Sequence, residues 1–182
     1  MLYTGIDLSL SNTGLIIIDE KSKIILEKSI KTSPAKEKTS ITTVQRVRGI
    51  TTDVIFELKN LNITEVAIEG FSFGSRGQGL FEIAYLGYRL REELYCNSIA
   101  YIEPTPHQLK KFATGKGNSK KSEVMLQVYK KWGEEFSDDN LADAYVLAQM
   151  LKGKVNDKGL TKLQQSVLDK VKGRIEDETK CR

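Results

Sequence analysis

The sequence has little of the chemistry on which many small proteins depend. Among its 182 residues there are two cysteines and one histidine. Two cysteines are too few for a disulfide scaffold or a thiolate zinc cluster, and a single histidine excludes a site built on several imidazoles. No apolar run approaches the ~20 residues of a membrane-spanning helix, and the N-terminus lacks the basic and apolar segments of a secretory signal. We therefore expect a protein of a reducing interior, with no membrane partner.

The chain also carries little net charge, and that charge is unevenly placed. Residues 1–151 hold 19 basic and 19 acidic side chains, whereas residues 152–182 hold nine basic and five acidic ones. Hydrophobic residues make up 40% and charged residues 29% of the chain, which suits one globular domain. We expect a core domain over 1–151 and a basic tail over 152–182, where recurring apolar residues predict an amphipathic helix.

The order of the predicted elements indicates an α/β fold. The first three strands follow one another too closely to be parallel, because a parallel pair needs a crossover of about a dozen residues. The later strands alternate with helices, which predicts a mixed five-stranded sheet with helices on both faces. Strands are expected at residues 2–8, 13–19, 23–31, 65–69 and 99–102, and helices at 41–61, 80–95, 106–113, 119–132 and 138–151.

Three acidic residues interrupt apolar segments. Asp7 lies near the end of an apolar strand, Glu69 ends the next buried-type strand, and Asp143 lies inside an apolar helix. A buried carboxylate is costly unless it is paired or bound to a metal ion. Asp139 precedes Asp143 by four residues and so shares its helical face. Oxygen ligands without histidine or cysteine favour Mg²⁺ or Mn²⁺ over zinc.

Each of these carboxylates also has a purely structural interpretation. Asp138 and Asp139 follow Ser137 and could simply cap the helix and complement its dipole. Asp7 could accept hydrogen bonds from backbone donors in the Ser/Asn turn that follows it. Asp143 has the weakest interpretation of this kind, since its helical neighbours are almost all apolar.

At this point the chain resembles the RuvC-type Holliday junction resolvases of the ribonuclease H-like superfamily. The resemblance implies a ribonuclease H-like fold and a metal-dependent, structure-selective DNA endonuclease, normally a homodimer that nicks two strands of a four-way junction. The compact loops are similar to those of phage-encoded members. Four segments carry the resemblance: GIDLSLSNTGL at 5–15, VAIEGFSF at 66–73, QLKKFATGKGNSKKSEV at 108–124 and DDNLADAYVLA at 138–148.

The resemblance implies a catalytic site of four carboxylates holding two Mg²⁺ ions, for which Mn²⁺ can substitute. Asp7, Glu69 and Asp143 match acidic family positions. The fourth ligand is less clear, because a three-residue step before Asp143 reaches Asn140 and a four-residue step reaches Asp139. The four-residue step keeps both carboxylates on one helical face, so Asp139 is preferred and Asn140 remains an alternative neutral ligand.

Positive charge is concentrated at residues 110–131, which hold seven lysines and one acidic residue. By resemblance, Lys110 and Lys121 lie near the scissile phosphate, and Lys121 is assigned to the catalytic set. Lysine pairs on a helix usually form a solvated face, and this interpretation applies most readily to Lys130 and Lys131. The remaining candidates for DNA contact in the stretch are Lys111, Lys116 and Lys120.

The glycine-rich loop at 71–79 follows Glu69 directly. Phe71 or Phe73 could stack on a base unpaired at the junction centre, although one of the two is expected to be core. We prefer Phe73 for DNA and regard Arg76 as a candidate phosphate contact.

Three other classes of protein compete with a junction resolvase. Actin-like ATPases and sugar kinases share the strand–turn opening, but position 9 is Ser where they have Gly, and the chain is short for two lobes. A non-catalytic binder of branched DNA is disfavoured by the complete set of carboxylates. A ribonuclease H-like nuclease acting on hybrids or flaps is not excluded by the residues. The expected compartment is the cytoplasm, that of the host for a phage protein.

Overall fold

A mixed five-stranded sheet forms the centre of the molecule. The computed structural model describes residues 1–71, 78–156 and 158–172. Its strands are β1 Tyr3–Asp7, β2 Asn12–Ile18, β3 Ile24–Lys31, β4 Glu65–Ile68 and β5 Ala100–Ile102. They lie in the order β3-β2-β1-β4-β5, with β1, β2 and β3 antiparallel and β4 parallel to both β1 and β5. The predicted mixed sheet is confirmed.

Helices cover both faces of this sheet, as predicted. The helices are α1 Ser40–Asn60, α2 Gln78–Cys96, α3 Pro106–Thr114, α4 Lys121–Trp132, α5 Asp139–Val155 and α6 Lys162–Leu168. Apolar side chains of α1 and α2 form one buried cluster with one face of the sheet. Side chains of α3, α4, α5 and α6 form a second cluster with the opposite face. In the described parts of the chain, no helix is both long and apolar enough to cross a membrane.

Side chains along β1 alternate between the two faces of the sheet. Ile6 packs into the cluster of α1 and α2, whereas Tyr3 packs into the cluster of α5. Successive strand residues face opposite sides, so Gly5 and Asp7 share the α5 face with Tyr3. In β4, Ala67 belongs to the α5 cluster and Ile68 to the other, so the alternation directs Glu69 toward the α5 side.

Helix α5 lies directly on the backbone of β1 and β2. A Cβ atom at Gly5 would lie 1.9 Å from the carbonyl oxygen of Ala144, and one at Gly14 would lie 2.4 Å from that of Asn140. Only hydrogen atoms fit at these two strand positions. The close contact fixes the first two turns of α5, which include Asp143, relative to the end of β1.

The C-terminal elements pack onto the core. Helix α5 continues to Val155, four residues beyond the predicted end at Leu151, because Gly153 is buried against Leu160 and Leu168 and the helix keeps its contacts there. Helix α6 contacts α3 and α5. Its Val167 and Leu168, together with Val171, join the α5 cluster. The predicted continuation of the tail helix beyond residue 172 lies outside the described residues.

Candidate active site

Three carboxylates lie together where β1 and β4 end beneath α5. Asp7 is the last residue of β1 and only 7% exposed. Glu69 directly follows β4, and its backbone N–H donates to the carbonyl of Ile6, which extends the parallel pairing as far as the site. Asp143 lies on α5, one residue before the helical carbonyl that contacts Gly5. The fold therefore brings together the three residues that interrupt apolar segments of the sequence.

The pKa values of these three carboxyl groups show that their charges repel one another. Burial raises the pKa of Asp7 well above its usual range, and the charges of Glu69 and Asp143 raise it further. Burial and the charge of Asp143 raise the pKa of Glu69 to about 7, although a hydrogen bond with Asp7 opposes the shift. Burial raises the pKa of Asp143 to about 6, with Lys121 opposing and Asp139 adding to the rise. Near neutral pH the cluster holds protons that a cation would displace.

Asp139 lies at the edge of this cluster, on the first turn of α5. Its carboxylate forms an ion pair with Lys121, and the hydrogen bond between them raises the pKa of Lys121. The capping role belongs to Asp138, whose Oδ1 accepts the backbone N–H of Leu141 at 3.0 Å. The structural interpretation of the two aspartates therefore applies to Asp138 and leaves Asp139 turned toward the site.

Asn140, the alternative fourth ligand, is engaged elsewhere. Its amide nitrogen donates to the backbone carbonyl of Asn12 at 2.7 Å, which ties the start of α5 to the start of β2. Asp139, in contrast, contributes to the raised pKa values of both Asp7 and Asp143. Asp139, rather than Asn140, thus adds negative charge to the carboxylate cluster.

The donor set fits a hard divalent cation. Within residues 1–71, 78–156 and 158–172, no three carboxylate, imidazole or thiol groups stand close enough together to hold one ion as they are arranged. The carboxylates nevertheless raise one another's pKa, and Asp139 is held by Lys121 at the edge. A cation would offset the repulsion among the carboxylates, and it would compete with Lys121 for Asp139. Oxygen ligands of this kind suit Mg²⁺ or Mn²⁺.

The predicted lysines lie on α3, on α4 and on the connection between them. Lys110 and Lys121 are close enough to lower the pKa of Glu69 and of Asp143. Lys116 and Lys120 are exposed in the connection, while Lys111 is half-buried on α3. Lys131 donates to the carbonyl of Ala113 and braces α4 against α3, which is a structural role. Two lysines, Lys110 and Lys121, therefore border the carboxylates.

The loop that follows Glu69 is only partly described. Phe73 and Arg76, the two DNA contacts predicted there, lie outside the described residues. Phe71 is described: its ring lies 4.9 Å from that of Tyr88 and against Gly87, where a Cβ would be 2.5 Å from the ring. The phenylalanine nearer to Glu69 thus packs on α2.

Arg91 was missed by the sequence reasoning. It is 7% exposed on α2 and donates to the carbonyl of Glu69. In the sequence, Arg91 stands within the apolar pattern of Leu86, Leu90 and Leu94, which indicates a buried position. A buried arginine needs partners, and this requirement could have identified it.

Comparison with known proteins shows the family to which the chain belongs. The model of the family described as crossover junction endodeoxyribonuclease RuvC matches residues 3–150. Crossover junction endodeoxyribonucleases RuvC of Campylobacter curvus and Campylobacter concisus are 31% and 33% identical to the chain, each over 81% of it and 94% of the relative. The structure of Thermus thermophilus RuvC in complex with a Holliday junction substrate superposes with a TM-score of 0.72 at 23% identity, covering 94% of this chain and 98% of that one. The chain belongs to the RuvC family of crossover junction endodeoxyribonucleases, which are metal-dependent nucleases.

Proposed function

We propose that the protein resolves four-way (Holliday) DNA junctions, and other branched DNA junctions, by hydrolysing one phosphodiester bond in each of two strands. The observation that carries the proposal is the group of three mutually repelling carboxylates under α5, bordered by Lys110 and Lys121. A cluster of this kind has no value for stability without a cation, because burial and repulsion both oppose ionisation. Membership of the RuvC family supplies the reaction class.

The proposed cofactor is a pair of Mg²⁺ ions, for which Mn²⁺ can substitute. Asp7, Glu69, Asp139 and Asp143 would hold them, with the buried Asp7 in the central position. When bound, such ions activate a water molecule and offset charge on the phosphate and the leaving oxygen. The all-carboxylate donor set and the raised pKa values support this assignment.

The chain's own residues orient the phosphate. Lys121 is paired with Asp139 and 66% exposed, so its ammonium group can exchange a carboxylate partner for a DNA phosphate. This exchange would free Asp139 for the cation and place positive charge beside the scissile group at the same time. Lys110, on α3, lies near the other side of the carboxylates and would hold the adjoining phosphate.

The proposed DNA surface continues outward from these two lysines. Lys111, Lys116 and Lys120 would follow the phosphate backbone, since each lies on α3 or on the connection to α4. Phe73 is proposed to stack on a base at the junction centre and Arg76 to contact a phosphate. Both proposals rest on their place in the loop after Glu69, whose first phenylalanine, Phe71, is occupied by packing on α2.

The proposed assembly is a homodimer acting in the cytoplasm. Two strands of a junction are cut, and one chain holds one set of carboxylates, so paired nicks need two copies. Helix α2 presents exposed aromatic side chains, including Phe81 at 76% and Tyr88 at 66%. An exposed apolar surface of this kind is typical of an interface. We assign catalysis to residues 1–151 and propose that α6, within the 152–182 tail, braces α3 and α5.

The test is a substrate panel with a change of cation. The protein is incubated with a synthetic four-way junction, a flap, an RNA–DNA hybrid and a linear duplex, first with Mg²⁺ and then with Ca²⁺. Symmetric nicking of the junction with Mg²⁺ is the expected result. Junction binding without cleavage under every cation would instead indicate a non-catalytic binder of branched DNA. Preferred cleavage of the hybrid or the flap would indicate a different nuclease of the same fold.

A further inference from the structure

Arg91 occupies an unusual position for an arginine. It lies on α2, is 7% exposed, and its Nε donates to the carboxylate of Glu103 at 2.6 Å. Burying a guanidinium group is costly unless its donors are satisfied, and a partly exposed ion pair alone repays little of that cost. The other contacts of the guanidinium group therefore indicate the role of Arg91.

Two of those contacts are with Glu69 and Phe71, which follow β4. One terminal nitrogen donates to the carbonyl of Gly87 at 2.9 Å, and the other donates to the carbonyl of Glu69 at 3.3 Å. The face of the guanidinium group lies 4.5 Å from the centroid of the Phe71 ring. A single side chain thus holds both the backbone of Glu69 and the side chain two residues later.

The backbone of this segment is held from the sheet side as well. The N–H of Glu69 donates to Ile6 at 3.3 Å, and the N–H of Gly70 donates to the carbonyl of Pro104 at 2.8 Å. These two bonds leave the Glu69 carbonyl as the polar backbone group that faces α2, where Arg91 meets it. The direction in which the chain leaves β4 is therefore set by three contacts, with β1, with α2 and with the segment between β5 and α3.

We propose that Arg91 is a positioning residue for Glu69. Its planar fork joins Glu103, which follows β5, to the Glu69 carbonyl, and so fixes the angle at which the Glu69 carboxylate enters the cluster. The inference rests on the proposed function for its effect on cleavage. Nothing in it requires Arg91 to touch DNA or the cation.

Lysine is the informative replacement. Arg91→Lys keeps a positive charge beside Glu103 but cannot present the same planar set of donors to three acceptors. We expect a single-turnover junction cleavage rate about 100-fold lower, as for a displacement of about 1 Å in a catalytic group. Junction affinity measured in Ca²⁺ should stay unchanged. The affinity for Mn²⁺ without DNA, measured by titration calorimetry, should fall about 10- to 100-fold, as for other residues that orient a ligand.

Arg89 provides the matched control two residues away on the same helix. Its guanidinium group pairs with Glu92 and Glu93, and its side chain is 26% exposed. Arg89→Lys should leave the cleavage rate, junction affinity and Mn²⁺ affinity at wild-type values. A second variant, Arg91→Met combined with Glu103→Gln, removes the buried charge pair as a unit and should reproduce the loss of rate and of Mn²⁺ affinity in folded protein.

Wild-type cleavage and wild-type Mn²⁺ affinity in Arg91→Lys would overturn the inference. So would a loss of rate that disappears when the rate is expressed per folded molecule, because that result describes a stabilising residue only. Failure of the wild-type protein to cut a junction would overturn the proposed function instead. The Mn²⁺ affinities of Arg91→Lys and Arg89→Lys would still decide the role of Arg91 in that case.

Discussion

Replacement of Gly5 by alanine should disable the site from a distance, through the contact between β1 and α5. The new Cβ would lie 1.9 Å from the Ala144 carbonyl oxygen and 2.5 Å from the Ala148 nitrogen. The first distance is about 1.5 Å short of ordinary van der Waals contact. Both atoms belong to helix backbone, so relief requires α5 to move away from β1 by about that distance.

This displacement has two measurable consequences. Overpacking of a core commonly costs about 1–3 kcal/mol, and a clash with backbone belongs at the upper end. At about 3 kcal/mol the melting temperature should fall by roughly 6–12 °C for a chain of this size. Asp143 precedes Ala144, so it moves away from Asp7 with the helix. A displacement of about 1 Å in a catalytic group costs on the order of 100-fold in rate.

The assay combines thermal unfolding with single-turnover cleavage of a four-way junction well below the melting temperature. Gly49→Ala is the matched control, because nothing lies within 4 Å of a Cβ at that position on α1. Alanine is favoured over glycine in a helix by up to ~1 kcal/mol, so this control should melt slightly higher and cut normally. A Gly5→Ala protein that matches wild type in both stability and rate would refute the claim that α5 rests directly on β1.

Three further predictions concern protons, phosphates and assembly. The pKa of Glu69 is raised to about 7 from 4.5, so between these pH values the folded state keeps a proton that the unfolded chain releases. Without divalent cations, the contribution of Glu69 to the free energy of unfolding should therefore decline from pH 5 to pH 7. Thermal melts in EDTA should show this decline in wild type and a smaller one in Glu69→Gln; equal slopes would contradict it. Lys116→Ala should reduce the slope of log Kd against log salt for junction binding by about 0.9, while Lys130→Ala leaves it unchanged; identical slopes in both variants would remove Lys116 from the DNA surface. Phe81→Glu should yield monomers in sedimentation velocity, whereas Leu126→Glu on α4 should not; a dimeric Phe81→Glu protein would place the interface elsewhere.

Much of the carboxylate cluster could be predicted from the sequence because its members violate the local apolar pattern. Asp7, Glu69 and Asp143 each interrupt an apolar segment, and the first two stand at the ends of predicted strands. The mixed sheet followed from connection lengths, since short turns force antiparallel neighbours. These features depend on spacing along the chain, which the sequence displays directly.

Other features depend on contacts between distant residues. The ion pair of Asp139 with Lys121 joins residues 18 positions apart, and no local pattern selects that partner. The length of α5 was underestimated because the fit of Gly153 against Leu160 and Leu168 is a tertiary contact. Arg91 escaped notice for the same reason: its partner Glu103 lies 12 positions away, after β5.

Asp7→Asn tests most directly whether the carboxylates under α5 perform the cleavage. Asp7 is buried and repelled by Glu69 and Asp143, so an uncharged side chain of the same shape should fold at least as stably as wild type without divalent cations. We expect this variant to bind a four-way junction in Ca²⁺ as wild type does and to produce no nicks with Mg²⁺. Near-wild-type nicking of the junction by Asp7→Asn with Mg²⁺ would contradict this role of the carboxylates.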